Sequence, residues 1–176
     1  LLAAVNHAKK HNSALHFMGM LSDAGVHSHL EHLSALLDLA QRNGLSKVYI
    51  HGFADGRDVA ERSALQYCES VEKKCGEYGC GKLISLVGRY YAMDRDTNWK
   101  RTQVAYDLLT KPAQKTFLNA RLALESFYAS GTESDYYLPA SKLGAPEEGL
   151  IQPEDALIFF NFRTDRAAQL TQAFVD

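Results

Sequence analysis

The chain has 176 residues, 46% hydrophobic and 23% charged, which suits one domain with a real core. Its net charge of −2 at pH 7 excludes a global basic field of the kind that draws nucleic acid or an anionic membrane. No apolar run approaches the length of a membrane span and no signal peptide is visible; the three cysteines, Cys68, Cys75 and Cys80, fit no zinc spacing and read as free thiols in a reducing cytoplasm.

Apolar positions recur at helical spacing from the first residue to His11, with no initiator Met and no cap. The chain is therefore expected to open inside a helix. It also stops abruptly after Phe174-Val175-Asp176, so it reads as a fragment of a longer protein. Residues 14–21 form an apolar run of strand length, and a glycine-containing turn follows. Leu30, Leu33, Leu36, Leu37 and Ala40 mark a helix through Arg42, ended by Asn43-Gly44. Residues 47–53 read as a second strand. Residues 62–78 read as a helix stopped by Gly79, with Cys68 and Cys75 on its inner face. Residues 82–87 are a third strand closed by Gly88. Asp96 or Thr97 is expected to cap a helix through Leu109, and Pro112 to break the chain. Residues 119–129 read as helix, and residues 134–149, with two prolines and two glycines, as mostly loop. The whole stretch 111–149 is expected to cap the strand ends or to form a small subdomain. Asp155 precedes a last strand at 156–161, and a closing helix spans 164–174. Strands alternating with helices predict an α/β fold: a mostly parallel sheet with helices on both faces, a three-layer α/β/α single domain.

Five of the nine arginines fall just after these strands: Arg57, Arg89, Arg95, Arg163 and Arg166. In such folds ligands bind at the carboxyl ends of the strands, so residues far apart in sequence are expected to converge there. Guanidinium groups bind phosphate and carboxylate through paired, charge-assisted hydrogen bonds. The expected ligand is therefore a small polyanion carrying both.

Each motif has a plainer reading. Asp55-Gly56-Arg57-Asp58 is either a turn with a local ion pair, or an aimed arginine with Asp58 placed to orient it or to accept a hydroxyl proton. Gly88-Arg89-Tyr90-Tyr91-Ala92-Met93-Asp94-Arg95-Asp96 is too rich in large rings for a plain turn, and its tyrosines are expected to pack under the arginines. Arg163 and Arg166, three apart, are expected to share the first turn of the last helix, where cations oppose the helix dipole unless an anion is bound. His27 sits in the turn Ser22-Asp23-Ala24-Gly25-Val26-His27-Ser28-His29 and is a functional candidate, whereas His29 and His32 read as a solvated helix face. One rival treats His27-Ser28-His29 as the first ligands of a metal-dependent hydrolase, with Asp23, His32, His51, Asp55 and Asp58 in support. Against it, an eight-stranded barrel of that type takes roughly 250 residues. Another rival is a regulatory module that only binds anionic metabolites. There is no Gly-x-Gly-x-x-Gly, no phosphate-loop lysine motif and no Gly-x-Ser-x-Gly elbow. The chain thus has anion clamps and proton donors but no evident nucleophile.

Four stretches, in order, resemble the cofactor-independent (2,3-bisphosphoglycerate-independent) phosphoglycerate mutases. They are Leu21–His29, Asp55–Asp58, Gly88–Asp96 and Phe159-Phe160-Asn161-Phe162-Arg163-Thr164-Asp165-Arg166. The resemblance covers nearly the whole chain and is to the inserted phosphotransferase domain only. It implies that His27, Arg57, Asp58, Arg89, Arg95, Arg163 and Arg166 bind 3-phosphoglycerate and 2-phosphoglycerate, with Asp58 and His27 also handling protons. It implies a partner, the phosphatase-like half, which carries a serine nucleophile and two manganese or similar divalent ions. No metal or cofactor is expected in this chain, and without that half no mutase activity. Arg57, Arg89 and Arg95 are expected to grip the glycerate, and Arg163 and Arg166 to lie nearer the phosphoryl group. Ala24 stands where the family usually has a second glycine, Val59-Ala60 replaces Thr-Pro-Pro, and Thr164 replaces a proline. None of these removes a functional side chain.

Overall fold

Three strands of seven residues form the centre of the molecule: β1 (Leu15–Leu21), β2 (Val48–Ala54) and β3 (Lys82–Gly88). The structure is a computed structural model that describes residues 1–131 and 133–175. Two short strands, β4 (Thr116–Phe117) and β5 (Ser141–Leu143), extend one side, and β6 (Ala156–Phe159) forms the other edge. The order is β4-β5-β3-β2-β1-β6. β1 pairs in parallel with β2 and β6, β2 pairs in parallel with β3, and β5 runs antiparallel to β3. The sheet is mostly parallel, as the alternation of elements predicts.

Side-chain alternation splits the core in two. Leu15, Phe17, Leu21, Val48, Ile50 and Leu86 face one side with α1 (Leu2–His11), α2 (Leu30–Arg42), α3 (Ala64–Tyr78) and α6 (Ala120–Ala129). Met18, Met20, Phe53 and Val87 face the other with α5 (Trp99–Thr110) and α7 (Ala168–Val175). This is the three-layer arrangement. A buried polar seam crosses the second face. Asp155 contacts His16 Nε2 at 3.1 Å, His16 Nδ1 contacts His51 Nε2 at 3.0 Å, and His51 Nδ1 meets Ser85 Oγ at 2.7 Å.

Several expectations need correction. The one-turn helix α4 (Arg89–Ala92) follows β3 directly and has no counterpart in the sequence reading. α5 is capped by neither Asp96 nor Thr97. Its N-cap is Asn98, which makes no side-chain cap bond, and Asp94 braces the loop before it by accepting from the amides of Asp96 and Asn98, each at 3.0 Å. α3 starts at Ala64 because the distant Asp135 carboxylate takes the amides of Ser63 and Ala64, each at 2.7 Å. The expected helix at 164–174 divides into a 3₁₀ turn, Thr164–Arg166, and α7. The stretch 111–149 is not a subdomain. β4, β5 and α6 extend the main sheet and its helical layer, while the 3₁₀ turn Asp135–Tyr137 lies against the strand ends. Two glycines permit that last contact. A Cβ at Gly88 would strike the Tyr136 carbonyl, and at Gly56 (φ +58) it would come 2.5 Å from the Tyr136 amide.

Candidate functional site

The carboxyl ends of β1, β2, β3 and β6 lead into four segments: the turn holding His27, the turn Asp55–Asp58, α4, and the 3₁₀ turn with Arg166. At their centre Arg89 is only 2% exposed. Its Nη1 donates to Asp55 Oδ1 and to Asp58 Oδ2, both at 2.6 Å, and its Nη2 lies 3.0 Å from His27 Nε2. Asp58 Oδ2 is also 3.7 Å from that His27 nitrogen. Asp55 is the buried base of the cluster. Its Oδ1 also accepts from the amides of Arg57 (3.3 Å) and Asp58 (3.0 Å), and its Oδ2 accepts from Ser22 Oγ at 2.8 Å.

This geometry fixes the His27 tautomer. A guanidinium only donates, so His27 Nε2 must accept and Nδ1 carries the hydrogen. Burial first, and then the Arg89 charge, hold the His27 pKa below its ordinary value, so the ring is neutral at pH 7. His27 Nδ1 and Arg89 Nε are both buried without a hydrogen-bond partner. Two buried, unpaired N–H donors on neighbouring side chains are costly unless something fills them, and an anion oxygen is the natural acceptor.

A second cluster sits beside the first. Asp165 Oδ2 accepts from Arg95 Nη1 at 2.6 Å and from Arg163 Nη2 at 3.0 Å. Desolvation works against that carboxylate, but hydrogen bonds from the two arginines hold its pKa below the usual aspartate value. Arg166 donates to the Met93 carbonyl at 3.1 Å. Its own pKa is pushed down by desolvation first, then by the charges of Arg95, Arg89 and Arg57. Arg57 is exposed, and its guanidinium has no ion pair or hydrogen bond among the described residues. The five arginines and His27 thus lie within one electrostatic neighbourhood. Arg163 and Arg166 do not share a helix face, since one turns to Asp165 and the other to Met93. Arg95 is grouped with Arg163, not with Arg57 and Arg89.

The tyrosines are placed differently from expectation. Arg101, not a pocket arginine, lies over the Tyr90 ring at 4.0 Å and donates to Asp94 at 2.9 Å. Tyr90 packs against Tyr136 and Tyr137. Asp94 also accepts from Gln169 at 3.0 Å, which ties the Arg95 loop to α7. The sequence reading missed Asp55 and Asp94 as anchors. Each belongs to a motif it quoted, but nothing local shows which carboxylate turns inward.

Of the residues the metal-hydrolase reading would recruit, only His27, Asp55 and Asp58 converge, and they do so on the Arg89 guanidinium. His29 caps α2 by accepting from the Glu31 amide, His32 packs edge-on to Phe162, and His51 lies in the seam with His16 and Ser85. Asp55 and Asp58 are taken by Arg89. The chain's own ligand types at this site suit an anion and not a dication.

A groove of about 600 Å³ lined by Met18, Tyr106, Leu157, Phe159 and Phe174 lies along α5, α7 and β6, and no arginine lines it. No helix among the described residues is long and apolar enough to cross a membrane.

The sequence matches the family described as "BPG-independent PGAM N-terminus" over residues 1–176. The chain belongs to this family. Its relatives include 2,3-bisphosphoglycerate-independent phosphoglycerate mutases. That of Clostridium novyi is 45% identical over the whole chain, and that of Moorella thermoacetica is 48% identical. The chain spans about a third of their length, 35% and 34% respectively. Among solved structures it is similar to a Leishmania mexicana phosphoglycerate mutase studied at low cobalt concentration. The TM-score is 0.90 at 28% identity, covering 98% of this chain and 33% of that one. Membership in the iPGM N-terminal family fits the fold and the arginine-lined strand ends.

Proposed function

We propose that this chain is the substrate-holding domain of a phosphoglycerate mutase and that the strand-end cluster binds 3- and 2-phosphoglycerate. The observation that carries the reading is the pair of buried, unpartnered donors, His27 Nδ1 and Arg89 Nε, among five arginines. Phosphoglycerate is a carboxylate and a phosphate on three carbons, and two separate guanidinium clusters match its two anionic ends. Arg57 and Arg89, with His27 and Asp58, hold the glycerate. Arg163 and Arg166 lie toward the phosphoryl group, and Arg95 joins them through Asp165.

The reaction is a transfer in two steps. A serine on the phosphatase-like half takes the phosphoryl group, and the 3-oxygen of glycerate takes up a proton. The glycerate reorients, its 2-hydroxyl gives up a proton, and that oxygen receives the phosphoryl group. Manganese, or a similar divalent ion, belongs with the serine and supplies Lewis-acid stabilisation there when bound. In this chain Asp58 would give a proton to the 3-oxygen and take one back from the 2-hydroxyl, while neutral His27 would hydrogen-bond the reacting oxygen through Nδ1–H without giving up its proton. Arg57 and Arg89 keep the glycerate from leaving between steps. The free thiols of Cys68, Cys75 and Cys80 support a cytoplasmic setting.

The test is mutase turnover in the full-length protein carrying this chain. His27→Ala is expected to lower kcat by about 10²–10³-fold, the usual worth of one positioned hydrogen-bond donor to a developing oxyanion. Near-normal turnover in that variant, or turnover by the purified 176-residue chain alone, contradicts the assignment.

A further inference from the structure

We infer a second site, for a transition-metal ion, at the opposite end of the sheet from the arginines. It is built from His7, His11 and Glu154. His7 and His11 are four apart on α1, so both imidazoles leave the same helix face. Their rings stack at 4.3 Å with an interplanar angle of 22°. Glu154 comes from the loop that leads into β6. One ligand atom from each of the three residues lies within 4.8 Å of the others, and His11 Nδ1 is 3.3 Å from Glu154 Oε2. Ligands about 2.0–2.2 Å from a tetrahedral zinc ion stand about 3.4 Å apart, a spacing the His11–Glu154 pair already has and the third ligand reaches by a small side-chain adjustment. No other group of three such residues meets this spacing among the described residues.

Both ligand-bearing elements are held in place independently of any ion. α1 is docked through Val5 and Ala8, each 0% exposed. The His7 ring nitrogen Nε2 lies 3.1 Å from the Glu154 carbonyl, which ties helix to loop. The neighbouring Asp155 fixes the loop, accepting from the Ala14 amide at 2.7 Å and the Gln152 amide at 2.8 Å, and contacting His16 at 3.1 Å. A site whose ligands are already placed loses little freedom on binding.

Two imidazoles and one carboxylate select a borderline ion. Zinc, cobalt and nickel suit this donor set, whereas magnesium and calcium prefer all-oxygen shells. With three protein ligands the fourth position is left to water. The site lies at the amino ends of the strands, far from the phosphoglycerate cluster at their carboxyl ends. The ion therefore acts as a clamp, pinning the first helix to the loop that positions edge strand β6 and the Asp155–His16–His51 seam.

The experiment is a calorimetric titration of the chain with zinc chloride alone, repeated on His7→Ala and His11→Ala. These side chains are exposed, so the fold should survive, and circular dichroism checks it. One zinc per chain in the micromolar range is expected. Even outer-shell partners of metal ligands are worth about 10–100-fold in affinity, so losing a ligand should weaken binding at least ~10-fold. Unchanged binding in both variants, or no saturable binding to the folded chain, overturns the site. Histidine ring NMR of the unmutated chain gives a check that no variant's folding can confuse. Zinc must move the His7 and His11 signals while those of His16, His27 and His51 stay put. If zinc instead moves only those others, or none, the site is wrong.

Discussion

Asp55 shows most clearly how much of the site rests on one side chain. It is 2% exposed and takes hydrogen bonds from Arg89, Ser22 and two turn amides. Replacing it by asparagine removes the charge opposite a buried guanidinium. Breaking one partner of a buried pair typically costs about 3–5 kcal/mol, and Asp58 remains to hold part of Arg89, so Asp55→Asn should lie at or below the low end. Urea denaturation measures this, and a change within ~0.5 kcal/mol would mean Arg89 does not depend on Asp55. The two-ended reading of the anion site predicts another asymmetry. Arg163→Ala should weaken phosphoglycerate binding by about tenfold or more and glycerate binding much less, since a charge-assisted bond is worth ~1.5–3 kcal/mol. Equal losses for both ligands would dissolve the division. At this scale the sequence shows the arginines because they sit in fixed relation to strand ends. It hides Asp55 and Asp94, because two carboxylates stand in each motif and only the folded backbone decides which one is buried.

At the scale of elements, apolar runs of seven residues made β1, β2 and β3 legible, and the 3.6-residue spacing of leucines did the same for α2. β4 and β5, at two and three residues, are too short to carry a period and exist because β3 offers them an edge. The cap of α3 comes from Asp135, 71 residues beyond Ala64, and no local rule reaches that far. That contact yields a prediction. Asp135→Ala frees the amides of Ser63 and Ala64 and the Tyr128 hydroxyl, and loss of a cap alone costs about 0.5–2 kcal/mol. A thermal midpoint indistinguishable from the parent chain would show that α3 does not need this carboxylate. Gly88 is the other joint between elements. Any side chain there meets the backbone of residues 135–138, so Gly88→Ala should destabilise the chain and disturb Arg89 next to it.

At the scale of the whole molecule, three buried imidazoles set the response to pH. Burial is the main cause that holds His16, His27 and His51 below the ordinary value near 6.5. The unfolded chain therefore binds more protons than the folded one once pH falls below about 6.5, and stability must drop as pH falls further. The urea midpoint should be lower at pH ~5.5 than at pH ~7.5, and a flat profile across that range would contradict the buried neutral seam. The chain spans about a third of the length of its mutase relatives, and the proposed function assigns to it the grip on substrate. The most direct measurement is a calorimetric titration of the chain with 3-phosphoglycerate at low salt, beside Arg57→Ala. Arg57 is exposed and unpaired among the described residues, so its loss tests the ligand contact and not the fold. Saturable binding that Arg57→Ala weakens at least ~10-fold is the predicted result. Equal binding in both chains, or none to a folded parent chain, would contradict the claim that these strand ends hold phosphoglycerate.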